Sequence, residues 1–527
     1  MESMMSGLRW RKQSGLKAIQ TKIGKVAEIE MKAEEDDNGY GEEPLSPSAR
    51  MFHQPNFNVH VIAVMGSKCT IQPQLVKQNL VHTLLKHPRF TSVLVEDEKD
   101  KGEMKWVLTK VELDDHIVIP KVEEDNNNLL LRESGDKFVE DYIQKLSKTS
   151  LPKSRPLWDL HLLNLKTSDA EAVGVLRIHH SLGDGASLIS LLLACTRQTA
   201  HPHKLPTIPT KKRRPPRPAA AAASRMWPAA CLVSLWCFLT LMWNSFVDVF
   251  MFVATALFFK DTNTPIKATT GSHLHPRRVV YRTVSLDDFK LIKNAMNMTI
   301  NDVALGVVQA GLSTYLNKRY AGDHDKEDDG EMEKTKHLPD NIRLRSTLLI
   351  NLRPSAGIQE LGEMMEKESE AKWGNCIGYV ILPFRIELKE NPLDYMRDAK
   401  STIDRKKRSL EALYTFYIAQ FVLKLFGIKA ASCLSHRVIE HTTMCFSNLV
   451  GPQEEIGFCG HPMAYLAPSS YGQPHALMIN FQSYINKMTM VLSVDENVIP
   501  NPHQLLDDLE MSLKLIKDAT LANSLVL

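Results

Sequence analysis

A mixed α/β protein of two domains is predicted by three features of the sequence. The 527 residues are roughly three times the commonest single-domain length, enough for two cores. Strand-like and helix-like segments alternate irregularly in both halves, which fits an α/β sandwich better than a helical bundle or a β-barrel. A basic, proline- and alanine-rich stretch followed by a long apolar run divides the chain near its middle. Hydrophobic residues at 43% and charged residues at 24% are ordinary values, which excludes a disordered chain and a polytopic membrane protein. Basic residues exceed acidic ones by only three, 64 against 61, so no basic field is present to recruit nucleic acid.

Residues 1–43 form a charged tail, basic and then acidic, with Glu34, Glu35, Asp36 and Asp37 in its second half. Leu16, Ile19, Ile23 and Val26 recur at helical spacing among lysines. The pattern suits a short membrane-surface helix or a solvated tail, four apolar positions being few. The first domain is placed at 44–205. Within it 57–64 reads as a strand, 74–86 as a helix behind Pro73, and 92–95 and 105–111 as strands. Residues 138–146 suit a helix, and the compact β-branched run 173–178 suits a buried strand.

The connector is placed at 206–262. Lys211, Lys212, Arg213, Arg214 and Arg217 stand among prolines and alanines. Behind them, residues 226–259 carry a single charge, Asp248, and three of the seven tryptophans. A membrane span needs about 20 apolar residues and two spans about 40. One span would put the halves of the protein on opposite sides of a bilayer. The expectation is therefore a re-entrant hairpin bent near residues 244–248, or a segment lying in the interface, with the basic side cytosolic. A buried core helix is the alternative.

The second domain, 263–527, begins with a strand at 278–284 and helices at 286–297 and 300–315, then an acidic loop at 323–333. Strands at 346–351, 379–384, 442–447 and 488–494, helices near 392–412 and a terminal helix at 502–519 complete it. Strand, turn and helix at 173–199 echo strand, turn and helix at 488–519, as two similar halves would if one carried the chemistry. The eight cysteines are scattered, with no CxxC pair and no zinc-like spacing; reduced thiols in a cytosolic setting follow. No secretory signal is visible at the N-terminus.

The chemistry concentrates where a strand meets a helix, in VLRIHHSLGDGASLISLLLACT from Val175. His179 and His180 stand at the strand end, Gly183 and Gly185 are expected to turn the chain sharply, and a helix starts behind Asp184. A histidine there can face a channel, take a proton from a hydroxyl and return it to a leaving group. The bland alternative is a satisfied core histidine.

The HHxxxDG segment resembles the active-site motif of the wax ester synthase/diacylglycerol acyltransferase family. Pro156-Leu157-Trp158-Asp159, Asn301-Asp302, Asn351-Leu352-Arg353-Pro354, Gly374-Asn375 and Ser447-Asn448-Leu449-Val450-Gly451-Pro452 follow the family order. HxxxD alone is shared with CoA-dependent acyltransferases and peptide-condensation domains; the DFGWG motif of soluble plant acyltransferases is absent, and the apolar segment looks like that of the plant members. The resemblance implies two chloramphenicol-acetyltransferase-like domains enclosing a channel. It implies His180 as general base, His179 as its support and Asp184 as a structural residue holding the turn by a salt bridge. Gly185, Asn301, Ser447 and Asn448 are the candidate substrate-binding and oxyanion residues. Asn301 reads equally as a helix cap and Ser447-Asn448 as a turn.

The implied reaction transfers a fatty acyl group from acyl-CoA to a long-chain alcohol and secondarily to diacylglycerol. No cofactor or metal is expected, nor an acyl-enzyme. The expected partners are acyl-CoA, the alcohol, diacylglycerol and the membrane, with self-association open. The expected place is the endoplasmic reticulum membrane with both domains cytosolic, or else the plasma membrane. Transfer to another alcohol or amine, or a non-catalytic lipid-binding role, are the competing readings.

Overall fold

The structure, a computed structural model, describes residues 42–96, 104–120, 130–209, 227–322, 336–352, 375 and 377–526. The N-terminal tail, the polybasic connector and the acidic loop expected at 323–333 lie outside these.

In chain order the strands are β1 Glu42–Pro44, β2 His60–Ser67, β3 Ser92–Glu96, β4 Met104–Leu108, β5 Ile117–Val118, β6 Trp158–Leu163, β7 Ala172–His179 and β8 Thr196–Gln198. The second half adds β9 Arg277–Ser285, β10 Arg343–Asn351, β11 Ile377–Arg385, β12 Met444–Leu449, β13 Ile456–Phe458, β14 His461–Tyr471, β15 Leu477–Tyr484 and β16 Lys487–Asp495. They build a seven-stranded sheet of order β5-β6-β7-β2-β14-β13-β8, a six-stranded sheet of order β11-β10-β12-β15-β16-β9, and a small sheet β1-β4-β3.

The two large sheets share a local topology. In the first, β5 runs parallel to β6, β6 pairs antiparallel with β7, and β7 with β2. In the second, β12 runs parallel to β15, β15 pairs antiparallel with β16, and β16 with β9. β7 leads to the helix Gly185–Cys195 and β16 to the helix Pro502–Val526, so the echo seen in the sequence corresponds to equivalent positions in two halves.

The halves are also interlocked. β13 and β14 belong by sequence to the second half, yet β14 pairs antiparallel with β2 from Met463↔Ser67 to Tyr471↔His60. Side chains close the seam as well: Arg278 of β9 reaches Glu140 at 3.2 Å and Asp141 at 2.9 Å on the helix Leu130–Ser147. A bilayer between the halves would have to cut a continuous hydrogen-bonded sheet, whose backbone groups could not be left unpaired in lipid. Both halves therefore lie on one side of any membrane.

Local sequence accounts for the elements that carry the site. Every residue of β6 is buried, as expected of a strand covered on both faces. The helix Ile300–Ala321 starts with a capping box, Thr299 and Asp302 each bonding the other's backbone, and ends at Gly322 with φ 76°.

The apolar segment differs from expectation. It is one continuous helix, Trp227–Leu257, with no bend at 244–248. The physical reason is Asp248, which marks a docking point rather than a turn: its carboxylate is buried and paired with Arg405 at 2.5 Å and Lys406 at 3.0 Å. Phe252, Ala254 and Ala256 are buried, whereas Trp236 and Trp243 are 72% and 65% exposed. A second apolar helical element, Glu411–His441, interrupted at Gly427, went unforeseen.

Candidate active site

The site starts on β7. Its residue Arg177 is buried and held by Asp159 of β6 through two contacts, Nε to Oδ1 at 3.0 Å and Nη2 to Oδ2 at 2.5 Å. Arg177 also donates to the carbonyls of Leu146 and Thr149. Trp158 pairs with Ile178, and the His179 backbone N–H donates to the Leu157 carbonyl at 2.9 Å. The Pro156-Leu157-Trp158-Asp159 segment thus braces the end of the strand that delivers the histidines.

His179 is fully committed. Its Nδ1 accepts from the Ser181 backbone N–H at 3.2 Å and lies 2.7 Å from the Ser181 hydroxyl. The proton is therefore on Nε2, which faces Asn58 Oδ1 at 2.9 Å. Burial, then the neighbouring His53 and His60, holds its pKa well below the usual histidine range. His53 stacks on the ring at 4.2 Å, and His60, opposite His179 in the sheet, meets it edge-on at 5.0 Å. His53 is lowered to about 3, by burial and Lys153, and His60 to about 4, by burial and Arg177. Such a cluster stays neutral at physiological pH.

His180 is the first residue of a single turn, His180–Leu182. Its backbone N–H donates to the Val59 carbonyl and its own carbonyl accepts from Asn375 Nδ2, both at 3.0 Å. Its ring lies 4.4 Å from that of Phe52. Burial lowers its pKa, opposed by a contact of the ring with its own backbone carbonyl, by the charge of Asp184 and by the Asn375 side chain. Nδ1 of His180 and Oδ1 of Asn375 are both buried and form no hydrogen bond among the described residues. Phe52 continues into an apolar pocket with Met51, Ile377, Tyr379, Phe416 and Leu423.

Asp184 is the N-cap of the helix Gly185–Cys195, accepting from the Ser187 backbone N–H at 3.0 Å. Gly183 has φ 176°, extended backbone open to any residue, so the sharp turn expected of the two glycines is instead made by the single turn and the cap. At Gly185 a Cβ would lie 3.6 Å from Leu449, which brings the end of β12 against the start of this helix.

The remaining candidates meet there. Asn448 Nδ2 donates to Asn301 Oδ1 at 2.6 Å. Asn301 lies inside the helix Ile300–Ala321 and Thr299 is the cap; Ser447 and Asn448 lie in β12, not in a turn. Among the described residues no hydrogen bond joins Asn301, Ser447 or Asn448 to the histidine pair. Sequence reasoning missed Asn58, Ser181, His53, His60 and Phe52. The one available signal was His60, at a strand position free to oppose His179.

Two α/β halves, interlocked through one sheet and meeting at a neutral, buried histidine beside an apolar pocket, define a two-domain acyltransferase of the CoA-dependent type. The chain belongs to the wax ester synthase/diacylglycerol acyltransferase family. The family's catalytic domain, described as "Wax ester synthase/diacylglycerol acyltransferase catalytic domain", matches residues 49–304, and its C-terminal domain, "WS/DGAT C-terminal domain", matches residues 373–517. Wax ester synthase/diacylglycerol acyltransferase 5 of Arabidopsis thaliana is 48% identical over 512 residues, 95% of this chain and 97% of the relative. Number 11 of the same plant is 48% identical over 486 residues, 92% of this chain and 96% of the relative. Among solved structures, the wax ester synthase/diacylglycerol acyltransferase from Marinobacter aquaeolei VT8 superposes with a TM-score of 0.52 at 16% identity, covering 91% of this chain and 100% of that one; this is a likeness of fold.

Proposed function

We propose that the protein is an acyl-CoA-dependent O-acyltransferase. It moves a fatty acyl group to a long-chain alcohol, giving a wax ester, and secondarily to diacylglycerol, giving triacylglycerol. The observation that carries this reading is His180: a buried imidazole kept neutral, at a strand end, with its face on the Phe52 wall of an apolar pocket. An alcohol must lose its proton as its oxygen attacks the thioester carbonyl, and a neutral imidazole takes that proton. The new C–O bond forms, the C–S bond breaks as the tetrahedral adduct collapses, and the proton passes from His180 to the departing CoA thiolate. In this scheme no cofactor and no covalent enzyme intermediate take part.

His179, bonded at both nitrogens, orients the turn rather than moving protons. Asp184 fixes the start of the helix behind it. Gly185, Asn301, Ser447 and Asn448 gather where β12 meets that helix, and their amides and hydroxyl are the oxyanion and substrate contacts of this scheme. The protein sits on the endoplasmic reticulum membrane with both halves cytosolic. Protease digestion of intact microsomes is expected to cleave both halves, and protection of residues 270–527 alone would overturn that placement.

The activity is tested with detergent-purified protein, labelled palmitoyl-CoA and either hexadecanol or dioleoylglycerol. Ester should form with both, faster with hexadecanol. His180→Ala should lose at least about 100-fold, the usual scale of a general base; unchanged turnover would reject the mechanism.

A further inference from the structure

The helix Glu411–His441 is interrupted at Gly427, with φ 76° and ψ −179°. Its two ends rest on one short stretch of the helix Trp227–Leu257. The Leu410 backbone N–H donates to Ser245 Oγ at 2.9 Å, and His441 Nδ1 lies 2.5 Å from the Thr255 carbonyl oxygen. Ten residues of helix separate those anchors, about 15 Å, whereas an unbroken helix of 31 residues would reach about 46 Å. The element must therefore fold back at Gly427, making a helical hairpin whose tip points away from its supports.

That tip is apolar and exposed. Phe421, Leu425 and Phe426 are 61%, 58% and 67% exposed, and no aspartate or glutamate occurs from 412 to 439. The charges beside the bend are Lys424 and Lys429, both exposed. An apolar wedge flanked only by cations fits the interface of an anionic leaflet. Both arms also line the apolar pocket, Phe416, Ala419 and Leu423 from the first and Ala431 from the second, together with Tyr379 and with Phe52, whose ring lies 4.4 Å from that of His180.

We infer that the 411–441 hairpin inserts its tip into one leaflet and that the space between its arms is the passage by which the chain of a membrane-borne acceptor reaches His180. The inference rests on the acyl-transfer reading. It assigns to this hairpin the re-entrant role that the sequence offered for 226–259 beside an interfacial one, with the helix Trp227–Leu257 as its support. The passage delivers from the bilayer, so a water-soluble acceptor does not depend on it.

Two measurements on the full chain test it. Hydrogen–deuterium exchange is followed with and without phosphatidylcholine vesicles, with or without phosphatidylserine. Exchange across 417–429 is expected to slow on vesicles, more so with phosphatidylserine. No slowing, or slowing on raising the protein concentration without vesicles, as a second copy covering the tip would give, would overturn the inference. The variant Phe421→Ser/Phe426→Ser is then assayed with hexadecanol in vesicles and with water-soluble butanol. Turnover of hexadecanol should fall at least about tenfold, equivalent to about 1.4 kcal/mol, and turnover of butanol should be unchanged. An equal loss for both acceptors, or none for hexadecanol, would overturn the passage. A wild-type protein inactive on every acceptor would instead reject the acyl-transfer reading, and the exchange experiment does not depend on it.

Discussion

Asp159 and Arg177 form a buried, two-contact ion pair on adjacent strands, two residues before the histidine pair. Arg177 is left without this counter-charge in Asp159→Asn, and breaking a buried pair costs about 3–5 kcal/mol because one charge stays buried alone. A fall in the thermal midpoint is expected, with activity lost in proportion to folded protein. An unchanged midpoint would mean that the pair does not brace β7.

The same carboxylate makes stability pH-dependent. Burial alone would raise its pKa, but hydrogen bonds from His161 and Arg177 and the charge of Arg177 outweigh it, and the value falls from 3.8 to about 2. The unfolded chain therefore binds more protons between these values, and Asp159 stabilises the fold fully above about pH 5. The contribution, on the order of 2 kcal/mol, is lost as the pH falls towards 2. Urea midpoints measured from pH 6 to 3 should fall more steeply for the wild type than for Asp159→Asn, and parallel curves would reject the assignment.

His180 predicts the acid limb of the rate profile. Burial, opposed by its own carbonyl, Asp184 and Asn375, lowers its pKa below 6.5. The catalytic form is the neutral one, so the acid limb of kcat/KM with hexadecanol should be centred below pH 6.5. A limb centred at or above 6.5 would show either a solvated His180 or another base.

Legibility followed distance along the chain. His179, His180, Asp184 and Gly185 were readable because a strand end, a cap and a helix start are all set within a few residues. The pairing of Asn448 with Asn301 spans 147 positions, and only the docking of β12 beside the helix Ile300–Ala321 creates it. The return of β14 to pair with β2 was hidden for the same reason, since alternation marks a strand but not its partner. The helix Glu411–His441 escaped because residues 412–423 are too uniformly apolar to give a 3.6-residue period. Asp248 misled because a charge in an apolar run reads as a turn when its partners, Arg405 and Lys406, are more than 150 residues away.

Asn375 is predicted to be a positioning residue. Its Nδ2 holds the His180 carbonyl at 3.0 Å, so the amide fixes the backbone that carries the imidazole. Asn375→Ala should lower kcat about tenfold, a loss of about 1.4 kcal/mol, with the KM for acyl-CoA unchanged and the acid limb displaced.

Gly451 sits where the chain leaves β12, and a Cβ there would lie 2.0 Å from the Ser483 carbonyl oxygen. That neighbour is backbone and cannot swing aside as a side chain would, so Gly451→Ala must push the end of β12 away from β15. Overpacking of this kind costs about 1–3 kcal/mol. The displaced strand carries Asn448, with its bond to Asn301, and Leu449, against the start of the helix at Gly185. A merely destabilised protein would keep its KM once the folded fraction is allowed for. Gly451→Ala should instead raise the KM for hexadecanol while the His180 acid limb stays in place, because the change displaces the β12 residues assigned to substrate contact and leaves β7 intact. Measuring KM and the pH profile on the same preparation separates the two, and a shifted limb with a normal KM would place β12 on the proton-transfer side of the site.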